Sequence, residues 1–142
     1  LWFMKLEEKY GFDAALEIDN EVWKIMPKIQ ARMLKSMGNL GNGMEALLDG
    51  FTSKLTIEGF TFKTEKTENP KGFRIIVEKC PWFELLVKSG RQNLSGKIGT
   101  VICNSDYSGW AAEFGDDIKF ELKKQICDGS EHCVLQFSQQ KC

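Results

Sequence analysis

Apolar residues recur every three or four positions through the first quarter of the chain and every second position near its end, so the sequence changes from a helical to a strand period. A short amphipathic piece ends near Tyr10 with Gly11 as its cap, and Asp13 is placed to cap the next helix. From there Ala15, Ile18, Val22, Ile25, Ile29, Met33 and Met37 draw one apolar stripe, of the kind that is either core or a partner interface. Pro27 falls off the stripe but inside the run, which predicts a kink or a break into two helices between Trp23 and Pro27. Glu17, Asp19 and Glu21 read as a solvated face rather than a metal site.

Gly38 to Gly43 is a Gly/Asn linker, and Met44 to Phe51 reads as one more short helix. Two strands are then predicted, Leu55 to Thr64 and Phe73 to Lys79, joined by a turn-rich stretch into an antiparallel hairpin. Gly59 breaks the alternation of the first strand, and a bulge there would reconcile Leu55 and Ile57 with Phe60 and Phe62. Trp82 to Val87 and Asn93 to Phe114 predict two helices, the second stopped by Gly115. Gly96, Gly99 and Gly109 each cost that long helix ~1 kcal/mol relative to alanine, so it requires close packing against another backbone. Ile118, Phe120, Leu122 and Ile126 alternate with polar residues and predict a strand. A two-residue turn at Asp128-Gly129-Ser130-Glu131 pairs Leu122 with Phe137, Lys124 with Leu135 and Ile126 with Cys133, which aligns both apolar faces.

The predicted fold is α+β: N-terminal helices, a β-hairpin, two helices and a C-terminal β-hairpin, with a four-stranded antiparallel sheet covered by helices. A single domain over residues 1–142 is expected, helical through 43 and α+β from 44 onward. At that length about two thirds of the unfolded surface can be buried, so no metal or disulfide is needed to hold the core. With 19 basic and 20 acidic residues there is no electrostatic footprint for nucleic acid. No apolar run spans a membrane, and Lys5, Glu7, Glu8 and Lys9 interrupt any signal-peptide layout, so a cytoplasmic protein is expected. Its first residue, Leu1, predicts native sequence before it. Five cysteines cannot all pair, and in a reducing cytosol all would be thiols.

Cys80 directly precedes Pro81 where the strand pattern gives way to a helix, so it reads as an N-cap residue, where unpaired N–H groups and the helix dipole favour a thiolate. Cys103, Asp106, Tyr107 and Trp110 lie three or four residues apart and share one helix face. The hairpin register puts Cys133 on the core side and turns Cys127 and His132 away from it, while Cys142 is peripheral. Cys80, Cys103 and Cys133 are therefore expected to converge under the helices, either as small buried hydrophobes or as a site. Asp106 on that apolar face would have a raised pKa suited to acid or base work, or would serve as a hydrogen-bond partner in the core. No cofactor is required, although zinc or another thiophilic metal held by Cys80, Cys103 and Cys133 is conceivable without the usual paired spacing. No phosphate loop, nucleotide fingerprint or Ser-His-Asp set is visible.

Lys79-Cys80-Pro81-Trp82, Cys103-Asn104-Ser105-Asp106 and the run from Gly129 through Cys133 to Phe137 occur in the order that marks the L-2-amino-thiazoline-4-carboxylic acid hydrolase family, which the chain resembles over residues 50–138. The N-terminal helices look like a related family that often carries the same Cys-Pro element. The layout is also similar to vinyl-reductase-type domains, which bind small molecules between helices and sheet. The resemblance implies a cysteine-dependent hydrolase of a small thiazoline or cyclic amidine, with Cys80 as nucleophile, Asp106 as acid or base, and Cys103, Cys133, Tyr107, Trp110 and Trp82 around the ligand. The alternative is a non-catalytic domain that binds a small molecule or senses a metal. The expected partner is a small-molecule ligand, with no nucleic acid or membrane involved, and the Met-rich stripe suggests a homodimer through the N-terminal helices.

Overall fold

A computed structural model describes residues 1–140. The elements run α1 (Trp2–Tyr10), α2 (Phe12–Trp23), α3 (Met26–Gly38), α4 (Met44–Glu58), β1 (Thr61–Glu68), β2 (Lys71–Lys79), α5 (Pro81–Lys88), α6 (Ser95–Phe114), β3 (Ile118–Lys124) and β4 (Cys133–Gln139). The four strands form one antiparallel sheet in the order β1-β2-β4-β3, so the α+β class and the two hairpins agree with the prediction.

The breaks between the first helices fall where the punctuation residues put them. Gly11 takes a positive φ of 88° between α1 and α2, and Pro27 sits in the first turn of α3, where its missing N–H costs nothing. Asp13 does not cap α2; it lies in the first turn and pairs with Lys97 on α6. The side of α2 and α3 that faces the molecule is built from Ala15, Leu16, Pro27 and Ala31, all buried. The small Ala15 and Ala31 let α6 approach closely, and a Cβ placed on Gly109 would lie 2.8 Å from the Pro27 ring. The larger stripe from Ile18 to Met37 points the other way, into solvent.

The helix α4 continues past Phe51 to Glu58, so the segment Leu55 to Phe60 is not strand. Its apolar residues satisfy both periods, and packing decides in favour of the helix: Phe51 and Leu55 are fully buried on its inner face. Gly59 is the left-handed residue that ends α4, with φ 88° and ψ 20°, rather than a bulge. The irregularity that β1 does contain lies two residues further on, between Thr61 and Phe62.

Both faces of α6 are covered, one by the sheet and α4, the other by α2 and α3. That explains its glycines. A side chain at Gly99 would meet Gln125 and Cys127 at 2.7 and 3.0 Å, and Gly109 meets Pro27. The core is largely aromatic: the Phe137 ring lies 4.9 Å from Phe51, 4.9 Å from Phe73 and 5.1 Å from Phe120, and Phe51 packs edge-on against Tyr107 at 5.2 Å.

The C-terminal hairpin has the expected parity but not the expected pairing. Phe120 faces Phe137 and Leu122 faces Leu135, a shift of two residues that keeps the same side chains inward. A bulge between Leu122 and Lys124 and a short 3-10 turn at Ile126–Asp128 replace the two-residue turn, with Gly129 in the left-handed region. Gln136 is buried together with Phe137, because it points to the opposite face beneath its neighbours Arg74 and Glu121 and accepts a hydrogen bond from Arg74 Nε at 3.2 Å.

The glycines of α6 are separable by experiment. Gly109→Ala gains helix propensity but drives a methyl group into the Pro27 ring, so a net loss of ~1–3 kcal/mol is expected in chemical denaturation. Gly96→Ala meets the flexible Asp128 carboxylate at 3.1 Å and the Cys127 carbonyl oxygen at an ordinary contact distance of 3.4 Å, and is expected to be neutral or to stabilise by up to ~1 kcal/mol. Equal effects at the two positions would contradict this account of how α6 packs.

Candidate functional site

Two helix faces with the same spacing meet over the sheet. On α4 the face is Phe51, Lys54, Leu55 and Glu58; on α6 it is Cys103, Asp106, Tyr107 and Trp110. Lys54 and Asp106 are both buried, and Lys54 Nζ lies 3.2 Å from Asp106 Oδ2 and 2.7 Å from Glu58 Oε1. The same ammonium stands 5.9 Å from the ring centres of Tyr107 and Trp110. A buried cation is thus enclosed by two carboxylates and two aromatic rings, which supply the counter-charge that burial requires.

Two polar atoms in this cluster have no partner. Asp106 Oδ1 and Trp110 Nε1 are both buried and unbonded, one an acceptor and the other a donor, four residues apart on one face of α6. Buried polar atoms are otherwise almost always satisfied, so an unused pair beside an ion pair is a natural place for a polar ligand or a water. Burial raises the Asp106 pKa to about 6, against the opposing pull of Lys54.

The cysteines gather beside this cluster. Cys80 is the N-cap residue of α5, as predicted, and Cys103 projects from α6; Cys133 opens β4 opposite Val77, where its sulfur accepts a hydrogen bond from the Ile126 N–H at 3.2 Å. Cys127 joins them rather than facing away. The 3-10 turn that interrupts the strand alternation swings its sulfur against Gly99 and into the electrostatic reach of Cys80 and Cys133. His132 keeps to the other side, near Glu78. Cys142 lies outside the described residues.

These surroundings do not favour thiolates. Burial pushes Cys127 and Cys133 to about 11 and Cys103 higher still. At Cys80 burial also raises the pKa and outweighs the N–H groups of Phe83 and Trp82 at the helix N-terminus, opposite in direction to the lowering expected of a cap thiol. Among the described residues no group of three or more His, Cys, Asp or Glu side chains has the arrangement to hold a metal ion, the Cys80, Cys103 and Cys133 set included.

Tyr107 and Trp110 are buried in the cluster, whereas Trp82 is 55% exposed on α5. Lys54 is the residue that sequence reading missed. Ending the helix at Phe51 left it in no element, although its spacing from Phe51 and Glu58 carried the signal. A separate surface groove of about 550 Å³ lies at the far end of the sheet, between the start of α4 and the tip of the first hairpin, lined by Met44, Glu45, Lys66, Gly72 and Ile118. None of the predicted site residues reaches it. Among the described residues no helix is long and apolar enough to cross a membrane.

Comparison with known proteins adds three findings. The model of the L-2-amino-thiazoline-4-carboxylic acid hydrolase family matches residues 1–137, which takes in the N-terminal helices that the motifs alone assigned to a related family. No curated protein matches the chain. Among solved structures, the crystal structure of the phenol-responsive sensory domain of the transcription activator PoxR with phenol is similar, with a TM-score of 0.56 and 14% identity over 97% of this chain and 71% of that one. At that identity the likeness is one of fold.

Asp106 makes stability depend on pH in a defined sense. Its folded pKa of about 6 lies above the ordinary value of 3.8, so between these values the folded chain binds more protons than the unfolded one. The contribution is fully present below about pH 4 and is lost as pH rises through about 6. Thermal unfolding of wild type is therefore expected to lose stability from pH 5 to pH 7 relative to Asp106→Asn, by about 1 kcal/mol. Parallel curves for the two proteins would show that Asp106 does not titrate there.

Proposed function

The chain belongs to the L-2-amino-thiazoline-4-carboxylic acid hydrolase family, and we propose that it hydrolyses a small thiazoline or cyclic amidine at the cluster formed by Lys54, Asp106 and Trp110. The observation that carries this reading is the half-used Asp106 carboxyl: Oδ2 is held by Lys54, while Oδ1 is buried with no partner. A carboxyl group poised near neutrality can take a proton and return it within one reaction.

Water adds to the carbon between the ring nitrogen and sulfur. As the C–O bond forms, Asp106 Oδ1 takes one proton from that water and the C=N π pair moves onto the ring nitrogen. That pair re-forms the C=N bond as the C–S bond breaks, and Asp106 delivers its proton to the sulfur. The ring opens to a tethered thiol and an isourea that tautomerises to the urea, with the carboxylate regenerated. Lys54 acts as a positioning residue, fixing which oxygen faces the water. The Trp110 indole N–H, unused in the free protein, donates to an acceptor atom of the substrate. Cys103 and Cys133 stay protonated and form the soft wall of the site. The Cys80 thiol, raised by burial, is a poorer candidate for nucleophile than water activated by Asp106.

A second reading, ligand binding without chemistry, draws on the elevated thiols and on the shared fold with a phenol-responsive sensory domain. One assay with L-2-amino-thiazoline-4-carboxylate separates the two. Asp106→Asn is expected to lower turnover at least ~100-fold, and Cys80→Ser to stay within ~10-fold of wild type. The reverse order would return the nucleophile role to Cys80. Wild-type protein that binds the compound in calorimetry yet leaves it intact would favour the binding domain.

A further inference from the structure

The stripe that sequence periodicity marks most clearly is not part of the core. Ile18, Val22, Ile25, Ile29, Met33 and Met37 are all exposed, from 37% at Val22 to 78% at Met37, and no other element covers them. A contiguous apolar face of this size is unusual on a monomer and marks an interaction surface.

Two further features say what fits it. First, α2 and α3 run on as one bent rod, because the linking residues Lys24 and Ile25 both keep helical backbone angles and Lys24 N–H still bonds to Asn20 O. Second, the rod is charged oppositely at its two ends. Within α2 stand Asp13, Glu17, Asp19 and Glu21 with no basic residue; within α3 stand Lys28, Arg32 and Lys35 with no acidic one.

The charges are also in register with the stripe. Glu17 and Glu21 immediately precede Ile18 and Val22, and Lys28 and Arg32 immediately precede Ile29 and Met33, so all four charges flank the apolar row on the same side. When two helices pack antiparallel, equivalent flanks face each other. Turning a second copy about an axis at Ile25 lays Glu17-Ile18 against Arg32-Met33 and Glu21-Val22 against Lys28-Ile29, so apolar residues meet apolar ones and acidic meet basic ones within one residue of direct opposition. Both acidic and basic rows then find opposite charge twice over, as an isologous interface demands. Glu17 and Lys28 have no ion-pair partner within the chain among the described residues.

We propose that the exposed face of α2 and α3 docks a second copy of this chain, antiparallel, about a two-fold axis at Ile25. The surface is self-complementary in both hydrophobic pattern and charge, so it needs no other protein to satisfy it. It lies across α6 from the sheet and leaves the Lys54 and Asp106 cluster outside the interface.

Sedimentation equilibrium of the chain tests this. Wild type is expected to have twice the 16.2 kDa chain mass at micromolar concentration. Glu21→Lys and Lys28→Glu should each weaken association roughly tenfold or more, by setting like charges together. The double variant, which exchanges both rows, should return to within about threefold of wild type. Ile25→Asp places two carboxylates at the axis and should yield monomers with unchanged far-ultraviolet circular dichroism. A wild-type monomer at ~100 μM would overturn the proposal, as would open-ended assemblies or a double variant no tighter than the single ones.

Discussion

The fold depends on the burial of one ring. Phe137 sits on a central strand with Phe73 beside it on β2, Phe120 beside it on β3 and Phe51 of α4 above it. Each such aromatic contact contributes ~0.5–1.5 kcal/mol beyond simple burial, so this one side chain ties three strands and a helix together. It also fixes the register. A one-residue slip of β4 would replace Phe137 by Gln136 under α4, and the sheet would lose its inner face.

The ion pair beside that stack has a different character. Burying Lys54 with Asp106 removes two charges from water, with Glu58 partly withdrawn beside them, and the attraction between them recovers only part of the cost. Replacing a whole buried ion pair by apolar residues of similar volume is often neutral for stability, whereas removing one partner leaves an uncompensated charge. This ion pair stands next to an unbonded carboxylate oxygen and an unbonded indole N–H, and those two unused atoms are what the proposed chemistry draws on. The thiols around it, all raised by burial, act as uncharged walls.

Sequence reasoning recovered the features that are set locally. Gly11, Pro27, Pro81 and Gly115 end or begin helices by their own backbone limits, and the face shared by Cys103, Asp106, Tyr107 and Trp110 comes from helical geometry alone. The features that escaped were set by partners far along the chain. Leu55 to Phe60 fits either period until Phe51 and Leu55 find the aromatic core, and with the end of α4 went Lys54. Parity could not separate registers two residues apart, and the bulge after Leu122 moved Cys127 to the side it was expected to avoid. On α3 the ring of Pro27 packs where a Cβ at Gly109 would clash, so close approach at that point is set by a glycine far along the chain.

The helix α5 begins at Cys80 and contains no fully buried residue, while Trp82, Leu85 and Val87 stand largely in solvent. Past its end, Arg91 is tied to α1 by a two-pronged bond to Glu7 at 2.8 and 2.7 Å. Segments with so little buried area open at a small fraction of the global unfolding free energy. The amides of α5 are therefore expected to exchange faster than those of α6, which is covered on both faces.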